Sequence, residues 1–119
     1  MASIGERKIA MLLEQGDIYY EQEYSFPDLK SDRGVHLRFD FAIFESPDAV
    51  RPKFLIEYQG AQHFEKKFQD SAQFSRQQAN DKRKRNYCDV KGYLLVAIPY
   101  TEYNSLTLES LLEQGKFFE

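Results

Sequence analysis

The chain has no tryptophan, one cysteine and four prolines among its 119 residues. Cys88 alone closes no internal disulfide and offers no thiolate cluster for zinc. No apolar run approaches the ~18 residues of a membrane-spanning helix, so no membrane partner is expected. The opening MASIGERKIA lacks the apolar stretch of a signal peptide, because Glu6, Arg7 and Lys8 interrupt it. These absences point to a reducing, cytoplasmic setting. A large excess of one charge is also missing. The net charge of −3 argues against polyanion binding over the whole surface.

What is present is an aromatic core. Ten Phe and eight Tyr supply much of the 42% apolar share, enough for a core at a length typical of one domain. Charge is segregated. Residues 1–60 carry 7 Lys/Arg against 11 Asp/Glu, residues 61–91 carry 8 against 4, and residues 92–119 carry 1 against 4. Positive charge is therefore confined to one segment, with KRKR at 82–85 at its centre. On charge alone this is a solvated helix face, though a basic stripe on an acidic domain also suits phosphate contact.

Periodicity predicts the order α-β-β-β-α-β-α. Residues 4–15 read as a helix with Ser3 as cap, Ile9, Leu12 and Leu13 on one side, and Gly16 as stop. A strand is expected near 18–24, followed by PDLKSDRG as a turn-rich connection. HLRFDFAIF at 36–44 alternates, with Leu37, Phe39, Phe41 and Ile43 on one side and Asp40 on the other. KFLIEYQG at 53–60 alternates again. Polar residues from about 68 to 90 read as one or two helices, 93–98 as a short buried strand ended by Pro99, and LTLESLLEQG as a last amphipathic helix stopped by Gly115. A short loop joins the two middle strands as an antiparallel hairpin. The long helix before the last strand allows that strand to return parallel. The expected fold class is thus α/β (α+β): helix, three strands, helix, strand, helix, with a mixed sheet flanked by helices.

The chemistry lies on the two alternating strands. Glu57 and Gln59 share a face, about 7 Å apart along the strand. A hairpin register that sets Asp40 beside Glu57 brings their β-carbons to roughly 5 Å. Carboxylates this close repel unless a proton or cation lies between them. Oxygen donors from Asp40, Glu57 and a backbone carbonyl at Tyr58 suit Mg²⁺ (or Mn²⁺). Such an ion would hold a phosphodiester oxygen and lower the pKa of a bound water. His63, just beyond the strand, carries an imidazole and is a candidate proton donor or acceptor. Lys82, Lys84, Arg85, Lys66 and Lys67 are candidates for phosphate contact, although the four residues 82–85 cannot all share one helix face.

The fragments GERKIAMLL (5–13), RFDF (38–41), IEYQGAQHF (56–64), NDKRKRNYC (80–88) and LLVAIPY (94–100), in this order, resemble the PD-(D/E)XK nuclease superfamily. More narrowly they resemble its branch of very-short-patch repair and phage-type homing endonucleases with an EDxHD motif. The resemblance covers nearly the whole chain. It implies a restriction-endonuclease-like core, Mg²⁺-dependent cleavage of DNA, and a bacterial or phage-infected cytoplasm. By motif it makes Glu6 the helix acid, Asp40 the main metal ligand, Glu57 and Gln59 the strand pair, His63 the branch's histidine, and Asp81 (alternatively Asp70) the last acid. Gln59 departs from the pattern, because an amide cannot be the cation or the base that a lysine would be. His63 or Lys84 is the candidate to supply that function.

Each residue also has a plain structural reading. Asp40 and Glu57 are what outward positions of half-buried strands look like. A carboxylate at Glu6 suits any helix start. Cys88 reads as a small buried hydrophobe. A catalytically inactive nuclease fold that binds nucleic acid is the competing expectation. A two-carboxylate glycosidase is a third, and the lack of tryptophan for a sugar platform weighs against it. A chain this short leaves little room for a separate DNA-recognition domain, so the expectation is either low intrinsic specificity or the catalytic part of a longer protein. A homodimer would suit double-strand cleavage.

Overall fold

Ser3 has the short polar side chain that a helix start requires, and its Oγ accepts the Glu6 backbone N–H at 3.1 Å. From this cap runs α1 (Ile4–Gln15). It is followed by β1 (Tyr19–Lys30), β2 (His36–Phe44), β3 (Phe54–Gln59), α2 (Ser71–Lys91), β4 (Leu95–Pro99), a 3₁₀ helix (Tyr100–Ser105) and α3 (Leu108–Gln114). The structure is a computed structural model that describes residues 3–61 and 71–119. The architecture is α+β, with a four-stranded sheet in the order β1-β2-β3-β4 flanked by helices. β1, β2 and β3 are antiparallel neighbours, and β4 joins β3 in parallel after the α2 crossover.

Two apolar clusters hold the sheet. Phe41, Ile43, Phe54 and Ile56 pack with Ile9 and Leu13 of α1 and Leu111 of α3. On the other side Leu37, Phe39, Ala42, Phe44 and Leu55 pack with Cys88 near the end of α2. β3 contributes to both clusters and is buried along its length, which explains its nearly unbroken apolar run. Each fully buried Phe, Leu or Ile contributes roughly 1.5–3 kcal/mol of transfer free energy.

Three features differ from the sequence expectation. First, β1 does not stop near residue 24 but continues to Lys30 through Pro27. It is an edge strand, and its register with β2 shifts between Ser25 and Lys30, so a proline without an N–H is tolerated there. Burial of Phe26 and Leu29 holds the extension. The turn itself is Ser31–Gly34, with Gly34 at φ 79°.

Second, a 3₁₀ helix that periodicity does not signal lies between β4 and α3.

Third, β2 does not keep one face throughout. Leu37 and Phe39 pack in one cluster, whereas Phe41 and Ile43 pack in the other. The facing strand switches as well, since Tyr20 packs against the first cluster and Tyr24 against the second. The switch falls at the same level in both strands. Glu23, a non-glycine residue at φ 53° in the middle of β1, lies opposite Asp40 by register count. A left-handed residue breaks the alternation of its own strand, so side chains of β1 beyond it point to the other side.

No helix among the described residues is long and apolar enough to cross a membrane.

Candidate active site

The face switch and the end of a ladder coincide at Asp40. β2 and β3 pair regularly at Ile43↔Phe54, Ala42↔Leu55 and Phe41↔Ile56, and there the backbone pairing stops. One further step sets Asp40 opposite Glu57. At that step side chains replace backbone partners. Asp40 Oδ2 accepts the Tyr58 N–H at 2.7 Å, and the Asp40 N–H donates to Glu57 Oε2 at 3.2 Å. The strands part, and two carboxylates occupy the gap while satisfying the amides that the ladder would have paired.

Two further carboxylates converge on Asp40. Glu23 arrives from the distorted position in β1. Glu6 arrives from the first turn of α1, which comes close to β3 only because residue 5 is glycine. A β-carbon at Gly5 would lie 2.1–2.4 Å from the Tyr58 ring. One oxygen from each of Glu6, Glu23 and Asp40 lies within 4.8 Å of the others. Burial, then the charge of Glu57, pushes Asp40 up to about 8. Burial, then Glu23, raises Glu6 above the ordinary carboxylate range. Oxygen donors gathered at this spacing fit a hard divalent cation such as Mg²⁺ or Mn²⁺.

Glu57 is one of the few buried charged side chains, and both its oxygens are engaged. Oε1 is ion-paired with Lys84 Nζ from α2. The same ammonium donates to the Arg38 carbonyl at 2.9 Å and lies 5.5 Å from the centre of the Phe39 ring. Lys84 is therefore fixed by three groups on β2 and β3, with a side chain only 13% exposed.

A cleft of about 1030 Å³ lies between α1, α2 and the 3₁₀ helix. Of the residues singled out in the sequence, Glu6, Asp40, Glu57, Tyr58, Asp81 and Lys84 line it together. Gln59, at the end of β3, is half-buried and does not line it. Lys82 and Arg85 are exposed and stand outside the cleft. His63, Lys66, Lys67 and Asp70 lie outside the described residues.

Sequence reasoning missed Glu23, and it missed the amides Gln73, Gln77 and Asn80 of the cleft wall, where Arg76 of the basic segment also stands. For Glu23 the only available signal was a register count back from the β1–β2 turn, and the shift between Ser25 and Lys30 hides it. For the amides it was their spacing along one helix.

No family model, curated protein or solved structure matches the chain.

Proposed function

We propose that the chain is a divalent-metal-dependent endonuclease domain that hydrolyses DNA phosphodiesters, related to the homing-endonuclease branch that its motifs resemble. The observation that carries this reading is the meeting of the Glu6, Glu23 and Asp40 carboxylates within 4.8 Å, beside a cleft that Glu6 and Asp40 line and a basic helix walls. Residues 71–91 carry six Lys/Arg against two Asp.

In this reading Glu6, Glu23 and Asp40 hold Mg²⁺ or Mn²⁺, and the Tyr58 backbone orients Asp40 through its N–H. A bound ion supplies charge neutralisation at the phosphate and a more acidic water. Lys84 does what Gln59 cannot. It brings an ammonium group to the cleft, positioned by Glu57 and the Arg38 carbonyl, where a phosphoryl group gains negative charge in the transition state. Glu57 acts in two directions, holding Lys84 through one oxygen and the Asp40 amide through the other. Arg76 and the exposed Lys82 and Arg85 add phosphate contacts along α2.

Supercoiled plasmid incubated with millimolar Mg²⁺ or Mn²⁺ tests this. Nicked or linear product should form and should fall about 10³-fold in Asp40→Asn, the scale of several kcal/mol of charge stabilisation. Cleavage that persists unchanged in Asp40→Asn and in Glu23→Gln excludes the site. Calorimetry that detects no Mn²⁺ or Mg²⁺ binding at millimolar concentration would favour a fold that binds nucleic acid without cutting it.

A further inference from the structure

We propose that the first half of α2 reads base sequence in the major groove of duplex DNA, through an amide stripe formed by Gln73, Gln77 and Asn80. This rests on the endonuclease reading and gives its substrate a recognition mode.

α2 has 21 residues, and its only buried one is Cys88, close to its C-terminal end. Lys84 and Tyr87 also reach the sheet near that end. Residues 71–80 therefore have no buried side chain, and no acidic residue among them. Within this stretch Phe74, Gln77 and Asn80 are half-buried and the other side chains are exposed.

Its polar groups are ordered. Gln73, Gln77, Asn80 and Lys84 are spaced i, i+4, i+7 and i+11, which places them on one stripe, and all four line the cleft. The stripe thus begins at the lysine beside Glu57 and runs outward through three carboxamides. At 1.5 Å per residue the amides span roughly 10 Å, about three base steps of 3.4 Å. Arg76 lies on the same wall, and Lys82, Arg83 and Arg85 are exposed on the same helix.

The residue types match one partner. Gln and Asn pair bidentately with adenine at its major-groove edge, while Arg and Lys hold phosphates. A helix of about 10–12 Å diameter fits the B-form major groove of about 12 Å. The major groove of duplex RNA is too narrow and deep for it. A DNA duplex seated on α2 lays one backbone strand in the cleft, with bases facing the amides a few steps from the phosphate beside Lys84.

The test is selection by the full chain, in EDTA, from a pool of randomised 25-base-pair DNA duplexes, followed by fluorescence anisotropy on the selected duplex. Wild-type protein should enrich adenine at two or three neighbouring positions. Gln77→Ala/Asn80→Ala should lose that enrichment and bind the selected duplex at least about 10-fold more weakly, with binding to random duplex little changed. Arg76→Ala should instead weaken all duplexes alike and lower the salt slope by about 1. Circular dichroism checks that both variants fold. The inference is overturned if wild type selects no sequence, if the double variant selects the same one with the same affinity, or if duplex RNA binds as well as duplex DNA. Metal-dependent plasmid cleavage without sequence preference would sink this inference and leave the endonuclease reading standing. Sequence-selective binding without cleavage would do the reverse.

Discussion

The two ends of the β2–β3 pair are built on opposite terms. At one end Phe41, Ala42 and Ile43 meet Ile56, Leu55 and Phe54 in a regular ladder, and all six are fully buried. At the other end, one residue further on, the ladder gives way to Asp40 and Glu57, which bond across the gap through their side chains. The dry end satisfies every local preference at once, namely alternation, burial and backbone pairing. The wet end contradicts several. It desolvates carboxylates, sets like charges together and places Glu23 at a positive φ. A residue in that region of conformational space costs of order 1–3 kcal/mol and persists only when its surroundings over-determine it. Here the aromatic ladder and the helices across it are those surroundings. Stability and chemistry are divided between two halves of one hairpin.

Substitutions at each end separate the two. Phe41→Ala, at the dry end, should lose about 3–5 kcal/mol in denaturant unfolding. Lys84→Met, at the wet end, leaves Glu57 without its counter-charge beside Asp40 and should lose about 2–3 kcal/mol at neutral pH. Glu57→Gln added to it should recover most of that loss, and a double variant no more stable than the single one would refute the pairing. Gly5→Ala pushes a methyl group into the Tyr58 ring. The expected loss is about 1–3 kcal/mol, together with weaker Mn²⁺ binding by calorimetry, because Glu6 withdraws with the helix.

pH dependence probes the wet end without changing a residue. Asp40 ordinarily titrates at 3.8 but is raised to about 8 in the fold. Between these values the unfolded chain has released a proton that the folded chain keeps, so this group lowers stability as pH rises, by at most about 1.4 kcal/mol per pH unit. Melting temperatures of wild type and Asp40→Asn should therefore diverge from about pH 4 to pH 8, with the variant the more stable at the upper end. Curves that stay parallel would show that Asp40 is not perturbed.

How much of this was legible depended on whether local pattern or tertiary register set the outcome. The α1 cap at Ser3, the β2–β3 hairpin and the parallel return of β4 follow from side-chain type, alternation and connection length, and they stand as expected. The opposition of Asp40 and Glu57 was readable as a condition on hairpin register. The face switch was not. HLRFDFAIF reads as one alternating strand, and the switch shows only in the packing, level with a left-handed residue on the neighbouring strand. Glu23 was hidden for the same reason. β1 was expected to end near it, while burial of Phe26 and Leu29 carries the strand past Pro27 to Lys30. Lys84 read as one of four consecutive cations on a solvated helix. Only the packing of Cys88 on the sheet turns that one inward to Glu57 while Lys82, Arg83 and Arg85 stay exposed.

Because two backbone amides, those of Asp40 and Tyr58, donate to carboxylates rather than to carbonyls, the protein carries built-in sensors at its own centre. Their proton resonances should move with the charge state of the acids they touch. Titrating Mg²⁺ or Mn²⁺ while watching those two peaks tests whether an ion loads, in a sample that contains no nucleic acid.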